Sequence, residues 1–252
     1  MYDASNTFKE LQESKVKIAI LPVGSVEQHS LHLPLGTDWI IAKEISQRVA
    51  EQLDVYLLPA MPFGTSPCHG GLSGTVWIRP MTLFNFIKDI CASLCCEEIK
   101  KLAIINCHGG NWVLKPAVRE VNLDNPETSV ILCTPYLLAQ KELEEVFESK
   151  GSDDLHAGEI ETSCMMYLHH ELVKDKKIDY VPKVTQEFLD YLRMKEISSS
   201  GVWGKPSRAS LKKGKKAIEI MIRVTTKYIN ETFEKIKKLK NLKREVKNPS
   251  TY

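Results

Sequence analysis

The chain has 252 residues, of which 43% are hydrophobic and 26% charged, and its formal net charge is +2. That composition is ordinary for a soluble globular protein with one sizeable core, or two small ones at most. No run approaches the ~20 apolar residues of a membrane span, and the polar, acidic stretch Met1–Glu13 lacks the apolar segment of a secretory signal. A cytoplasmic protein with no membrane partner is expected.

Seven cysteines (Cys68, Cys91, Cys95, Cys96, Cys107, Cys133 and Cys164) are odd in number and show no CxxC spacing. Most lie in apolar stretches, where a free cysteine behaves as a small hydrophobe, so neither disulfides nor a structural zinc site is expected. The charge is uneven: residues 201–252 carry 15 Lys/Arg against 4 Asp/Glu. A basic tail can signal nucleic acid. Here the lysines follow an amphipathic helical spacing with only Tyr228 and Phe233 interleaved, which reads as a solvated face and no nucleic-acid partner.

In chain order, Val16–Val23 is the first of four short, nearly continuous apolar runs that read as buried strands. Trp39–Leu53 follows with a helical stripe of Ile41, Ile45, Val49 and Leu53. Val55–Pro59 is the second strand, and Thr82–Ile99 a helix with Phe86, Ile90 and Leu94 in register. Strand Leu102–Asn106, helix Trp112–Leu123, strand Val130–Cys133 and helix Leu137–Phe147 continue the alternation. A further helix opens near Glu159, and the Ser/Gly-rich loop Ser198–Pro206 precedes a final helix. Strands alternating with helices predict an α/β protein, a three-layer α/β/α domain over residues 1–252 with a mainly parallel sheet. Ligands of such sheets bind beyond the carboxyl ends of the strands, where the polar clusters of this sequence fall.

The first cluster follows Val23 and supplies Glu27, His29, His32 and Asp38 within twelve residues. Carboxylates and imidazoles gathered on a loop suit a borderline divalent metal. Asp38 alone would read as a helix cap, but beside Glu27 and His29 it reads as a ligand. The second cluster, Asn106-Cys107-His108-Gly109-Gly110-Asn111, puts His108 directly after a buried strand, with two glycines that permit close approach of a ligand. The third, His156-Ala157-Gly158-Glu159-Ile160-Glu161-Thr162-Ser163, opens a helix. Glu159 and Glu161 lie two apart and cannot share a helix face, so one of them at most reaches the metal cluster. Glycine-rich Cys68–Thr75, with His69 and Ser73, and Gly201–Gly204, with Trp203, are expected to line the pocket. His169 and His170 read as packing or surface residues.

Leu21–His29 together with Leu33–Asp38 resembles the signature of the creatininase (creatinine amidohydrolase) family, and Asn106–Asn111 and His156–Ser163 resemble its second and third motifs in order. Gly201–Pro206 is similar to a late family segment. The resemblance implies a three-layer α/β/α fold, a two-metal site and a homohexamer. It implies that Glu27, Asp38 and His108 bind one divalent ion (Zn, Mn or Fe), that His29 and a bridging Asp38 bind the second, and that His156 is catalytic. Gly109 and Gly110 stand where creatininases carry an aromatic residue and a metal-binding glutamate. Glu159 is expected to replace that glutamate, with Glu161 as second choice or a supporting catalytic group. The missing aromatic belongs to the creatinine pocket, where Gly109 is expected among the substrate contacts, so a small-molecule amide other than creatinine is expected. The Gly-Gly variant resembles a formamide-hydrolysing (deformylase) branch, and a peptide-processing branch also exists. The expected reaction is hydrolysis of a cyclic amide or formamide by metal-activated water, with His156 passing a proton to the leaving nitrogen. Its rivals are a ring-opening or aldolase-like step in the same pocket and a metal-binding scaffold without turnover.

Overall fold

Four parallel strands form the sheet: β1 (Ile18–Val23), β2 (Tyr56–Leu57), β3 (Lys101–Asn106) and β4 (Ser129–Cys133), in the spatial order β2-β1-β3-β4. The computed structural model describes residues 1–247; the last five residues of the expected 1–252 domain lie outside the described residues. β1 and β3 pair over their whole length, from Ile18↔Lys101 to Val23↔Asn106. β4 continues the ladder from Lys101↔Ser129 to Ile105↔Cys133. The apolar run expected as Val55–Pro59 yields only a two-residue edge strand. Pro59 and Pro62 have no N–H to give a ladder, and the chain keeps contact with β1 through single bonds such as Leu58 N to Ile20 O.

Alternation along each strand divides the core in two. Ile20, Ala103, Ile105, Ile131 and Cys133 face one layer. That layer is built from α2 (Thr37–Leu53), α7 (Glu159–Leu168) and α9 (Leu211–Lys247). Ile41, Ile45 and Val49 of α2 are fully buried there, as their spacing predicts, beside Ala217, Ile218 and Met221 of α9. Ala19, Leu21, Val23, Leu102, Ile104 and Val130 face the other layer, α3 (Pro80–Cys96) and α4 (Leu114–Asp124). In α3 the buried stripe is Leu83, Ile87, Cys91 and Leu94; Phe86 and Ile90 lie at its margin. The helix begins two residues earlier than expected, with Pro80 at its first position, where a missing N–H costs nothing.

α1 (Phe8–Ser14) is a surface helix closed by a capping box between Thr7 and Glu10. The segment expected as one helix, Leu137–Phe147, starts earlier at Pro135 and divides into α5 (Pro135–Leu138) and α6 (Gln140–Leu143). α8 (Met194–Ile197) is a single short turn. The long basic helix α9 packs its apolar side on the sheet layer and leaves most of its lysines before residue 243 in solvent. No described helix is long and apolar enough to cross a membrane.

The layer arrangement fixes where a site can form. After β1 the chain turns into α2 on one face of the sheet, and after β3 it leads to α4 on the other. The loops therefore separate at the carboxyl ends of β1 and β3, opening the crevice expected at such a switch point.

Candidate metal centre

The loop after β1 carries Glu27, Gln28 and His29 into that crevice, and its end at Gly36 starts α2, which puts Asp38 in the first helical turn. Asp38 does not cap the helix. Its Oδ1 lies 3.2 Å from His29 Nε2 and its Oδ2 2.9 Å from His108 Nδ1. His108 arrives from the β3 end, and its Nε2 stands 3.3 Å from Glu27 Oε2. From the third cluster come His156, whose Nδ1 is 3.6 Å from Glu27 Oε1, and Glu161, whose Oε2 is 3.7 Å from His29 Nε2. Among the described residues three ligand triads result, Glu27–Asp38–His108, His29–Asp38–Glu161 and Glu27–His29–His156, each with donor atoms within 4.8 Å of one another. Asp38 belongs to two of them.

The glutamate expected to complete the second metal site, Glu159, is not in the cluster. It is fully buried on the opposite side of the α7 start, accepts from Ser149 N at 2.8 Å and pairs with Lys213 Nζ at 2.5 Å. Two residues of helix turn the chain by about 200°, so only one of the pair can face the metal ligands, and it is Glu161. The carboxylate of Asp154 accepts from the Glu159 and Ile160 amides at 2.6 and 2.9 Å, which fixes the direction in which α7 sets out.

The expected pocket residues divide. His69 is buried in the centre itself, its Nε2 3.4 Å from Glu27 Oε1. Gly109 lines a cavity of about 700 Å³ that contains Glu27, Asp38, His108, His156 and Glu161, with Trp112 and Met194 among its walls. Ser73 does not reach it and lines a separate cavity of about 410 Å³. Trp203 does not line this cavity either. It is fully buried, donates from its indole to Ser152 O and holds the His156 backbone through paired amide bonds of 3.1 and 2.9 Å. The loop expected to separate the body from the final helix is thus a strap over His156. His32 bonds Thr162 Oγ1 at 2.9 Å, outside the three triads, and His170 is exposed. Gln28, which sequence reading passed over, is almost completely buried and touches both His69 and His156. Its partners lie 41 and 128 residues away, so no local pattern marks it.

The electrostatics are those of a site built for a cation. Burial would lower the His29 pKa, but the carboxylates of Asp38, Glu161 and Glu27 raise it to about 10. His108 rises to about 9 against the same penalty, through Glu27 and Asp38. Burial pushes Asp38 up, and the two histidines bring it far below the usual carboxylate range. Glu161 is pushed up to about 8 by burial, with Asp38 adding to the rise. His156 is held well below its ordinary value by burial and by the neighbouring His69 and His29. Glu27 Oε1 is buried with no hydrogen bond. A buried carboxylate oxygen without a donor is costly, and a divalent ion supplies what it lacks. The mixed carboxylate and imidazole set suits zinc, manganese or iron.

The protein stripped of metal therefore has a defined pH dependence. His29 and His108 have folded values of about 10 and about 9 against 6.5 unfolded. Their stabilisation is complete below 6.5 and lost as pH rises through those values. Glu161, at about 8 folded against 4.5, binds its proton more tightly when folded, so stability again falls as pH rises from 4.5 to 8. Melting in chelator should show a Tm that declines from about pH 6 to pH 10. With zinc present the trend reverses over the acid side of that range, because the metal displaces the histidine protons. A chelated protein that gains stability between pH 6 and 9 would contradict this account.

A family model for creatininase, described as creatinine amidohydrolase, matches residues 4–229. The mycofactocin precursor peptide peptidase of Mycolicibacterium smegmatis is 27% identical over 86% of this chain and 86% of its own length. The creatinine amidohydrolase of Pseudomonas putida is 25% identical over 86% of this chain and 90% of its own. A manganese form of creatininase shares the fold, with a TM-score of 0.81 and 23% identity over 92% of this chain and 98% of that one. The family match takes in all three motifs and every residue of the three triads, so the chain belongs to the creatininase family of metal-binding hydrolases.

Proposed function

We propose that this protein hydrolyses an amide C–N bond with two divalent ions held by Glu27, His29, Asp38, His108 and Glu161. The observation that carries the reading is the pair of triads sharing Asp38 at the floor of a cavity of about 700 Å³. A bound divalent ion supplies a water with a pKa lowered toward ~7 and polarises the scissile carbonyl. The chain's own groups do the rest. His156 lines the cavity as a neutral imidazole and carries the proton to the leaving nitrogen. Gly109 and Trp112 form the wall against which the acyl or amine portion rests.

The substrate is an amide larger than creatinine. A cavity of this volume fits a mid-sized ligand, and a Cβ added at Gly109 would meet nothing within 4 Å, so the space an aromatic side chain would fill is open. Among the described residues no lysine or arginine lines the cavity, whereas Glu187 and Asp190 do, which favours a neutral or cationic amide over an anionic one. Exposed Phe63, Trp77, Met81 and Trp112 support self-association, and the assembly we infer is a homohexamer.

The test is metal analysis of the purified chain beside Glu161→Gln and Glu159→Gln, with turnover of formamides, cyclic amides and short peptides and light scattering on the same samples. Two ions per chain are expected in the wild type and in Glu159→Gln, with one ion and no turnover in Glu161→Gln. Loss of metal in Glu159→Gln but not in Glu161→Gln would reverse the ligand assignment. A chain that holds no metal after reconstitution would sink the hydrolase reading.

A further inference from the structure

Gln28 does not line the metal-centre cavity but borders the separate cavity of about 410 Å³, and its side chain is almost completely buried. Its amide orientation is fixed by one contact: Oε1 accepts from Ser30 N at 3.0 Å. Turning the amide over would set two donors against each other, so Nε2 is the atom that faces His69, His156 and the Gly201 carbonyl. An amide nitrogen has two protons, and three neighbours stand within reach: His69 Nδ1 at 2.8 Å, His156 Nε2 at 2.9 Å and Gly201 O at 3.1 Å.

The third distance is resolved by the backbone. His156 Nε2 also lies 2.6 Å from the Gln28 carbonyl oxygen. A lone pair on that nitrogen would oppose the carbonyl lone pairs, so Nε2 carries the proton and donates it to Gln28 O. The two Gln28 protons then go to His69 Nδ1 and Gly201 O, and every polar atom of the group has one consistent partner. His69 Nδ1 is therefore an acceptor and its proton is on Nε2. His156 Nδ1 is left with its lone pair.

Both conclusions meet at the same atom. His69 Nε2–H stands 3.4 Å from Glu27 Oε1, and the bare Nδ1 of His156 stands 3.6 Å from it. We propose that Gln28 is a positioning residue that sets the tautomers of His69 and His156. The first then carries its proton on the nitrogen nearer Glu27, and the second turns its basic nitrogen toward the reacting centre. Gly201 makes the arrangement possible: it has φ +74°, and a Cβ there would sit 2.0 Å from Gln28 Oε1. The proposal rests on the hydrolase reading only for its kinetic consequence.

The test uses the full-length, zinc-loaded protein with ¹⁵N-labelled histidine, in which two-bond ¹H–¹⁵N correlations assign each neutral ring. The wild type should show His69 and His156 protonated on Nε2. In Gln28→Glu the carboxylate can only accept, so His69 should move to the Nδ1–H form. The value of kcat should fall about 10–100-fold, the range for a group that orients a ligand, while KM and metal content hold, because Gln28 does not line the cavity. His156 protonated on Nδ1 in the wild type, His69 unmoved in Gln28→Glu, or an unchanged kcat would each overturn the proposal. If Gln28→Glu does not fold, the wild-type spectrum decides by itself. If no amide is turned over, the hydrolase reading fails while the tautomer assignment is still decided by the spectra.

Discussion

Asp38→Asn should empty the metal centre and lower turnover by about 10⁴ or more, at or beyond the upper end of what loss of one acid–base group costs. Asp38 is the only residue common to the Glu27–Asp38–His108 and His29–Asp38–Glu161 triads, and it is 2% exposed. Asparagine keeps the shape and removes the charge, so a loss cannot be ascribed to a hole in the packing. Neither of its side-chain atoms replaces a carboxylate that faces two imidazoles at 3.2 and 2.9 Å. The metal-free protein gives a second readout. Where His29 and His108 are protonated, near pH 6, removing their shared counter-charge should cost about 3–5 kcal/mol, the range for breaking a buried pair. Near pH 10 His108 is largely neutral and His29 about half so, and the cost should shrink. Metal analysis with turnover checks the first effect, and denaturant melts of the chelated protein at the two pH values check the second. Retention of two ions in Asp38→Asn would show that the triads do not share this residue as a bridge.

The same residues show how far a sequence carries this kind of inference. Glu27, His29, Asp38 and His108 were legible because each follows the end of a buried strand or opens the next helix. In a parallel sheet those positions converge whatever the details of packing. Ile41, Ile45 and Val49 were legible because a single stripe covers the sheet. The choice between Glu159 and Glu161 was not legible. Both are acidic residues in a first helical turn, and what separates them is Lys213, 54 residues away, with the Asp154 contacts that aim the helix. Trp203 was misread for a related reason: a glycine-flanked tryptophan looks like a pocket wall, yet its backbone is paired with His156 and its ring is buried. Gln28 went unread although it sits between two candidate ligands, because its chemistry depends on rings brought in from two distant segments. Where partners are local or the topology forces convergence, sequence suffices. Where a side chain is defined by a long-range contact, it does not.

His156→Ala separates the two things that the position of His156 allows. As the proton carrier, its loss should lower turnover by ~10²–10⁴ and leave both ions in place, since Glu27, Asp38, His108, His29 and Glu161 are untouched. Its ring is 6% exposed and lines the cavity, and its Nε2 is occupied by the Gln28 carbonyl, so Nδ1 is the nitrogen free to act. The low proton affinity of that ring has a physical cause in burial beside His69 and His29. It keeps the imidazole neutral before the reaction, and a neutral imidazole is the form that can accept a proton at a centre already rich in positive charge. His156 also belongs to the Glu27–His29–His156 triad, with Nδ1 3.6 Å from Glu27 Oε1, which would make it a metal ligand. These roles give opposite results in one pair of measurements. Full metal content with slow turnover, partly restored by added imidazole, supports the proton carrier. Loss of an ion together with activity, unrelieved by imidazole, makes His156 a ligand. The proton would then have to come from another group lining the cavity, such as Glu187 or Asp190.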